Sequence, residues 1–296
     1  MTAWLRAAHV CPGAYSGSAT DRVIASGQFS NRLQLLKPDP SLSALHAAVA
    51  DAYRVFHHHA SPSFPLDVCT PCCVSKDIEQ QLRQWPLAKL TAQHLYEYNT
   101  SAKSESQPSQ EIGHLLPRML ELLAEGAEIH HSIELSLDRL GRCPQGSWND
   151  DEHDVLNRFA LAYFDRILLG GPLGEGHHRW PDDTLSALLM FDIGGRPVEP
   201  LLHHWLQCED PVSTVQFVRA THYAFWKHRE YTNAFASDRP IFRGHLREWL
   251  LKPAHRQRFA GKLLTPEFQE QALLQPPIGY TDFSAMMESV FDELVQ

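Results

Sequence analysis

Apolar residues recur along this chain every three or four positions. Nowhere does a run of Val, Ile and Thr alternate with polar residues at the period of two that a half-buried strand requires. This property constrains the fold most, because the chain can bury a core through helices and has little from which to build a sheet. Leu42, Leu45, Val49, Ala52 and Phe56 mark one face of a first helix that ends in His57, His58 and His59. Ser75 offers an N-cap to a second helix carrying Ile78, Leu82 and Trp85 before Pro86 stops it, and Thr91 caps a short third. Leu115, Leu116, Leu120, Leu123 and Ile129 predict a helical region kinked near Pro117 and Gly126; Ile133, Leu137 and Leu140 then lead to a stop at Gly141. Asn149, with Glu152 three residues on, spells a capping box for a strong helix through Leu168. Further helices are expected at 182–193, 198–207, 211–234, 238–251, 266–274 and 282–294, with Thr265-Pro266 matching the cap and first-turn preferences.

The expected fold class is all-α, an irregular multi-helix bundle or a short α-solenoid-like array. A poorly ordered N-terminal arm is expected over residues 1–40, where Gly, Pro and Ser replace any sustained period. The helical domain covers 41–296. If it forms two subdomains, they divide near the polar stretch 99–110 (NTSAKSESQPSQ) or near 141–150. A chain of 296 residues, 43% hydrophobic, hides enough surface that neither disulfides nor a structural metal is needed merely to fold it. No run reaches the roughly 18 apolar residues of a membrane-spanning helix, so no membrane association is expected. The net charge of −9 argues against nucleic acid as a partner. Of six cysteines, three are packed into Cys69, Cys72 and Cys73, unlike the spread pairs of a secreted scaffold. Met1–Val10, interrupted by Arg6 and His9, lacks a signal-peptide core, so a cytoplasmic location is expected.

The sharpest chemical feature is Asp67-Val68-Cys69-Thr70-Pro71-Cys72-Cys73, because a C-x-x-C pair can place two thiolates on one tetrahedral zinc ion. Further ligands could come from Cys73, His57–His59, His94, Cys143 or Cys208, and the set read as a metal site is Cys69, Cys72, Cys73 and His59. Thiol redox chemistry and plain buried cysteines are the competing readings. Cys69-Thr70-Pro71-Cys72 also resembles the C-x-P-C motif of the thioredoxin family, which implies redox chemistry on a β-α-β scaffold. Here no strand-rich pattern flanks it, and Val68 stands where that family usually has an aromatic residue. The longer segment LDVCTPCCVS is similar to one found in an uncharacterised bacterial protein family, a resemblance that implies no activity.

E-x-x-H occurs at Glu111/His114, Glu128/His131 and Glu175/His178, a spacing that puts both side chains on one helix face. Di-iron bundles use two such motifs, but the first two here lie only 17 residues apart, too close for long antiparallel helices, so solvated helix faces are the simpler reading. Adjacent histidines such as His130-His131, His177-His178 and His203-His204 diverge by about 100° on a helix and do not converge on one ion. No H-E-x-x-H, G-x-S-x-G, P-loop or G-x-G-x-x-G motif occurs, and GGPLGEG at 170–176 reads as a turn. Between Arg219 and Tyr231 cations and aromatics interleave, and Arg219, Tyr223, Trp226 and Arg229 are the residues expected to contact a partner; a core helix with outward cations is the alternative. With no complete catalytic constellation visible, the leading expectation is a non-catalytic protein-binding factor, an adaptor, inhibitor or immunity-type protein. The alternative is a zinc-binding metalloprotein using the cysteine loop in a structural or catalytic role.

Overall fold

The computed structural model describes residues 40–62, 65–171 and 183–296, and the expected arm over 1–40 lies, except for Pro40, outside them. The helices are α1 (Pro40–Val55), α2 (Lys76–Gln84), α3 (Ala92–Thr100), α4 (Ser109–Ala124), α5 (Asp138–Gly141), α6 (Asp150–Leu168) and α7 (Asp183–Ile193). They continue with α8 (Glu199–Gln207), α9 (Pro211–Thr221), α10 (Pro240–Leu251), α11 (Pro253–Leu263), α12 (Pro266–Leu273) and α13 (Phe283–Val295). Among the described residues the only β pairing is two isolated bridges, Val68 with Ala102 and Ile278 with Thr281. The fold is all-α.

The caps read from the sequence close as expected. Ser75 accepts from the Ile78 amide, Asn149 and Glu152 form the reciprocal box that starts α6, and Thr265 accepts from Phe268. Other boundaries moved. Pro117 lies inside α4 without ending it, and the turn comes at Gly126, which takes the left-handed φ of 75° that stops the helix. The helix expected over 211–234 breaks: α9 ends at Thr221, residues 222–226 wind into a wider π turn, and Arg229 reaches φ 50°. Around Ile133–Leu140 the apolar spacing yields a 3₁₀ turn and the one-turn α5 in place of a longer helix. One helix, α11, was not expected at all. Pro253 sits at its first turn, and Phe259, Ala260 and Leu263 form its buried face.

Residues 38–296 group as one unit. Its helices pack on partners far away in sequence: α1 lies along α6 and α4, α7 against α9, and α9 against α12 and α13. That pattern belongs to a bundle, since the elements of a solenoid touch only their neighbours. The stretch 99–110, expected as an internal loop or linker, is partly interior, with Asn99, Ser101 and Gln107 buried. Its polar side chains serve as internal hydrogen-bonding partners. Compositional polarity did not distinguish that role from a loop.

Candidate metal centre

The cysteine segment is a short exposed turn clamped at both ends by buried valines, Val68 and Val74. Within it the amides of Cys73 and Val74 both donate to the Cys69 carbonyl, which folds the turn back so that its side chains gather on one side. The Cys69 amide donates to the Ser101 carbonyl, and Val68 bridges Ala102, so the turn is fastened to the segment after α3. The amide of Leu66 donates to Glu79 of α2, closing the other flank.

Beneath the turn lies a buried polar network that sequence reading missed. Arg139, 1% exposed, donates from Nε to Gln107, from Nη1 to the Tyr98 carbonyl and from Nη2 to the Asp67 carbonyl. Its guanidinium stacks 3.7 Å above the Tyr98 ring and lies 3.4 Å from Glu111. Glu111 in turn accepts from the Tyr98 hydroxyl and the Asp67 amide. The Asp67 carboxylate accepts from Ser104 and Gln107. Burial raises Asp67, but the Ser104 hydrogen bonds and the nearby Arg139 outweigh it and hold the carboxyl below its usual range. Burial raises Glu111 above the usual carboxylate range. A buried guanidinium is tolerable only where its donors are matched, and here the matching groups converge from four segments. The only sequence hint was Arg139 standing inside the apolar pattern Leu137–Leu140.

The result is a preorganised platform for sulfur. Cys69 Sγ lies 2.9 Å from Cys72 Sγ, and Cys72 Sγ lies 3.3 Å from Cys73 Sγ. All three sulfurs sit within 4.8 Å of one another. Hydrogen bonding from Cys72 pulls the Cys69 thiol below its ordinary range, aided by Lys103, while hydrogen bonding with Cys69 and Cys73 pushes Cys72 up to about 12. One thiolate is thus favoured first, and its negative charge suppresses the next unless a cation enters. Tetrahedral zinc, at about 2.3 Å from each sulfur, spaces its sulfurs by roughly 3.8 Å, so the turn would need to open by under about 1 Å.

The other proposed ligands go elsewhere. His59 is apart from the sulfurs; its Nε2 lies 2.6 Å from Glu152 Oε1 and its Nδ1 lies 3.2 Å from Gln110 Oε1. The reason is local: the 3₁₀ turn at Phe56–His58 carries His59 inward between α4 and α6, whereas the cysteine turn faces solvent. His94 closes the α3 cap with Thr91, and Cys143, its thiol pushed by burial up to about 12, donates to the Arg139 carbonyl. Among the described residues no fourth His, Cys, Asp or Glu atom joins the three sulfurs.

Among the described residues the E-x-x-H pairs form no di-metal centre. Glu111 serves Arg139, His114 binds the His59 carbonyl, and Glu128 and His131 lie outside any helix. Glu175 and His178 lie outside the described residues. Glu111 is also buried, so it belongs to no solvated face. The residues expected to contact a partner are engaged within the chain. Trp226 is 3% exposed and donates to Thr221, which corrects its reading as a surface anchor. Arg219 donates to Gln275, Tyr223 bonds Thr281, and Arg229 donates to Glu293 and Gln296. Arg219, Tyr223 and Arg229 fasten the end of α9 and the π turn to the C-terminal segment, while Trp226 packs inward. The thioredoxin-like motif likewise stands on no β-α-β unit among the described residues. Comparison with known proteins gives no relative: no family model, no curated protein and no solved structure matches the chain.

Proposed function

We propose that this protein is a metalloprotein that holds a zinc-class ion through Cys69, Cys72 and Cys73 in a reducing, cytoplasmic setting. The observation that supports this reading is the convergence of three thiols on a turn whose backbone is already fixed by the network around Arg139. Redox chemistry needs two sulfurs; a third within reach of both is what a metal uses. Three protein ligands leave the fourth coordination position to water or to a ligand from another molecule. Metal content of untagged protein, purified without added metal, tests it. The expected result is about one thiolate-bound zinc per chain, lost in Cys69→Ser and in Cys72→Ser, with cobalt substitution giving a thiolate-to-metal charge-transfer band that disappears in the same variants. Freshly reduced protein that holds no metal and gives no such band would overturn the proposal.

A protein-binding role is the second reading, favoured by an open groove between α8 and α10. Leu202, Leu206, Trp249 and Leu251 line its apolar part and His203 and His245 flank it. A photo-crosslinker placed at the exposed Arg247 should form one discrete heteromeric adduct in the cells that make the protein, lost on Leu251→Asp. Adducts that are absent, or indifferent to Leu251→Asp, remove this reading.

A further inference from the structure

A second cluster of metal-ligating atoms lies away from the sulfurs, where the end of α1 meets the start of α6. His58 Nε2 and His59 Nε2 stand 3.4 Å and 2.6 Å from the same oxygen, Oε1 of Glu152. The contacts of the other ring nitrogens orient both Nε2 atoms toward that oxygen. His58 Nδ1 lies 3.0 Å from the Val55 carbonyl, which can only accept, so Nδ1 donates to it and the ring directs Nε2 toward the carboxylate. His59 repeats the arrangement, with Nδ1 against Gln110 Oε1. The other Glu152 oxygen is occupied by the Asn149 amide of the α6 capping box, so Oε1 is the oxygen left to the histidines. Two imidazole nitrogens and one carboxylate oxygen thus converge, and the 2.6 Å contact between His59 and Glu152 is a hydrogen bond whose proton an entering cation displaces. An orientation held by Nδ1–H on a carbonyl, with Nε2 free, is the outer support that metal-ligating histidines use.

The surroundings build this site. Glu152 is 2% exposed and His59 8%, whereas His58 is at the surface, so the cluster is enclosed on one side and open on the other. Phe56 and Trp148 pack on the His59 ring, with centroids 5.6 and 5.8 Å away. His114 of α4 holds the His59 carbonyl. Gly113 of α4 is where the His59 ring passes: a Cβ there would stand 2.6 Å from ring atoms, so only glycine admits the ring in this position. We infer that His58, His59 and Glu152 form a second divalent transition-metal site, a two-histidine, one-carboxylate set with its remaining coordination positions open on the His58 side. Nitrogen and oxygen donors suit Zn²⁺ or Co²⁺ better than the soft thiol site does a hard ion, so the two sites differ in chemistry. This site does not depend on the cysteine reading.

The test starts from protein in which the exposed thiols are removed together, Cys69→Ser/Cys72→Ser/Cys73→Ser, at a pH of about 7.5, where free imidazole is neutral. Titration calorimetry with Zn²⁺ alone should show one saturable site, and Co²⁺ should bind there without a thiolate charge-transfer band. His58→Ala removes a surface ligand and should weaken Zn²⁺ binding at least tenfold. Glu152→Gln keeps a residue that can still complete the capping box and should do the same. His57→Ala, at the exposed neighbour outside the cluster, should change nothing. Gly113→Ala should weaken binding by displacing the His59 ring, and Co²⁺ should quench Trp148 fluorescence, a signal lost in Trp148→Phe. Absence of a saturable Zn²⁺ site in the triple-serine protein would overturn the proposal. So would an affinity unchanged by both His58→Ala and Glu152→Gln, which would mean that the pair is a proton-mediated contact only.

Discussion

Two regions of this bundle are held together by opposite means. Around α3, α4 and α5 a buried arginine gathers carbonyls, an amide oxygen and a carboxylate, and each bond has a direction. Around α8, α9, α10 and α11 the interior is aromatic: Trp205 stacks on Trp249, and Phe217 lies face to face with Phe259 at 3.8 Å. Aromatic packing contributes mainly through area and tolerates small shifts, while a buried charge fails if one partner moves. The region that carries the three sulfurs is built on directional bonds. The aromatic region carries stability and no comparable chemistry.

Breaking the directional region should give the largest effect. Arg139→Ala leaves Glu111 and the Asp67 and Tyr98 carbonyls without their donor and should cost about 3–5 kcal/mol in denaturant unfolding. Zinc should be lost with it. Arg139→Lys should not restore the metal, because an ammonium cannot span Gln107, Tyr98 and Asp67 as the planar fork does. Metal retained at full stoichiometry in Arg139→Ala would show that the network is unnecessary for the turn.

The next effect is one of pH. Burial, with His131 and Arg142 nearby, lowers His130 from 6.5 to about 4. Above 6.5 both folded and unfolded forms are neutral; as pH falls toward 4, only the unfolded form takes the proton. Stability present above 6.5 should therefore decline by up to about 3 kcal/mol by pH 4, and His130→Gln should flatten that part of the profile. An equal slope in both proteins over that window would assign the loss to other groups.

Phe259→Leu probes the aromatic region. It keeps an apolar side chain but removes the face-to-face ring, and should cost about 1–2 kcal/mol with zinc content unchanged. A loss of metal in this variant would mean that the two regions are not independent. The smallest change is kinetic. In metal-free protein Cys69 should alkylate faster than Cys72 near neutral pH, as read by mass spectrometry of the labelled turn, since Cys69 is lowered and Cys72 raised to about 12. Equal rates would mean that the sulfurs do not share their protons in solution.

Local signals were readable wherever one side chain acts on its own segment. The caps at Ser75, Asn149 and Thr265, the α1 face and the C-x-x-C spacing are of this kind. Reading failed where distant segments decide. The polar stretch 99–110 resembled a linker because nothing in its composition shows that Ser101 and Gln107 meet Cys69 and Arg139. His59 was assigned to the cysteines by proximity in sequence, yet its ring nitrogens meet Gln110 and Glu152, which lie 51 and 93 positions away.

The sequence by itself determined an all-α chain, the position of most helices and a turn bearing three thiols, because periodicity, capping and motif spacing act within a few residues. Tertiary structure decided which polar groups are interior, that Trp226 turns inward while Arg219, Tyr223 and Arg229 bond the C-terminal segment, and that His58, His59 and Glu152 converge. Those outcomes depend on which helices cross, and a helix face does not state what it will be packed against.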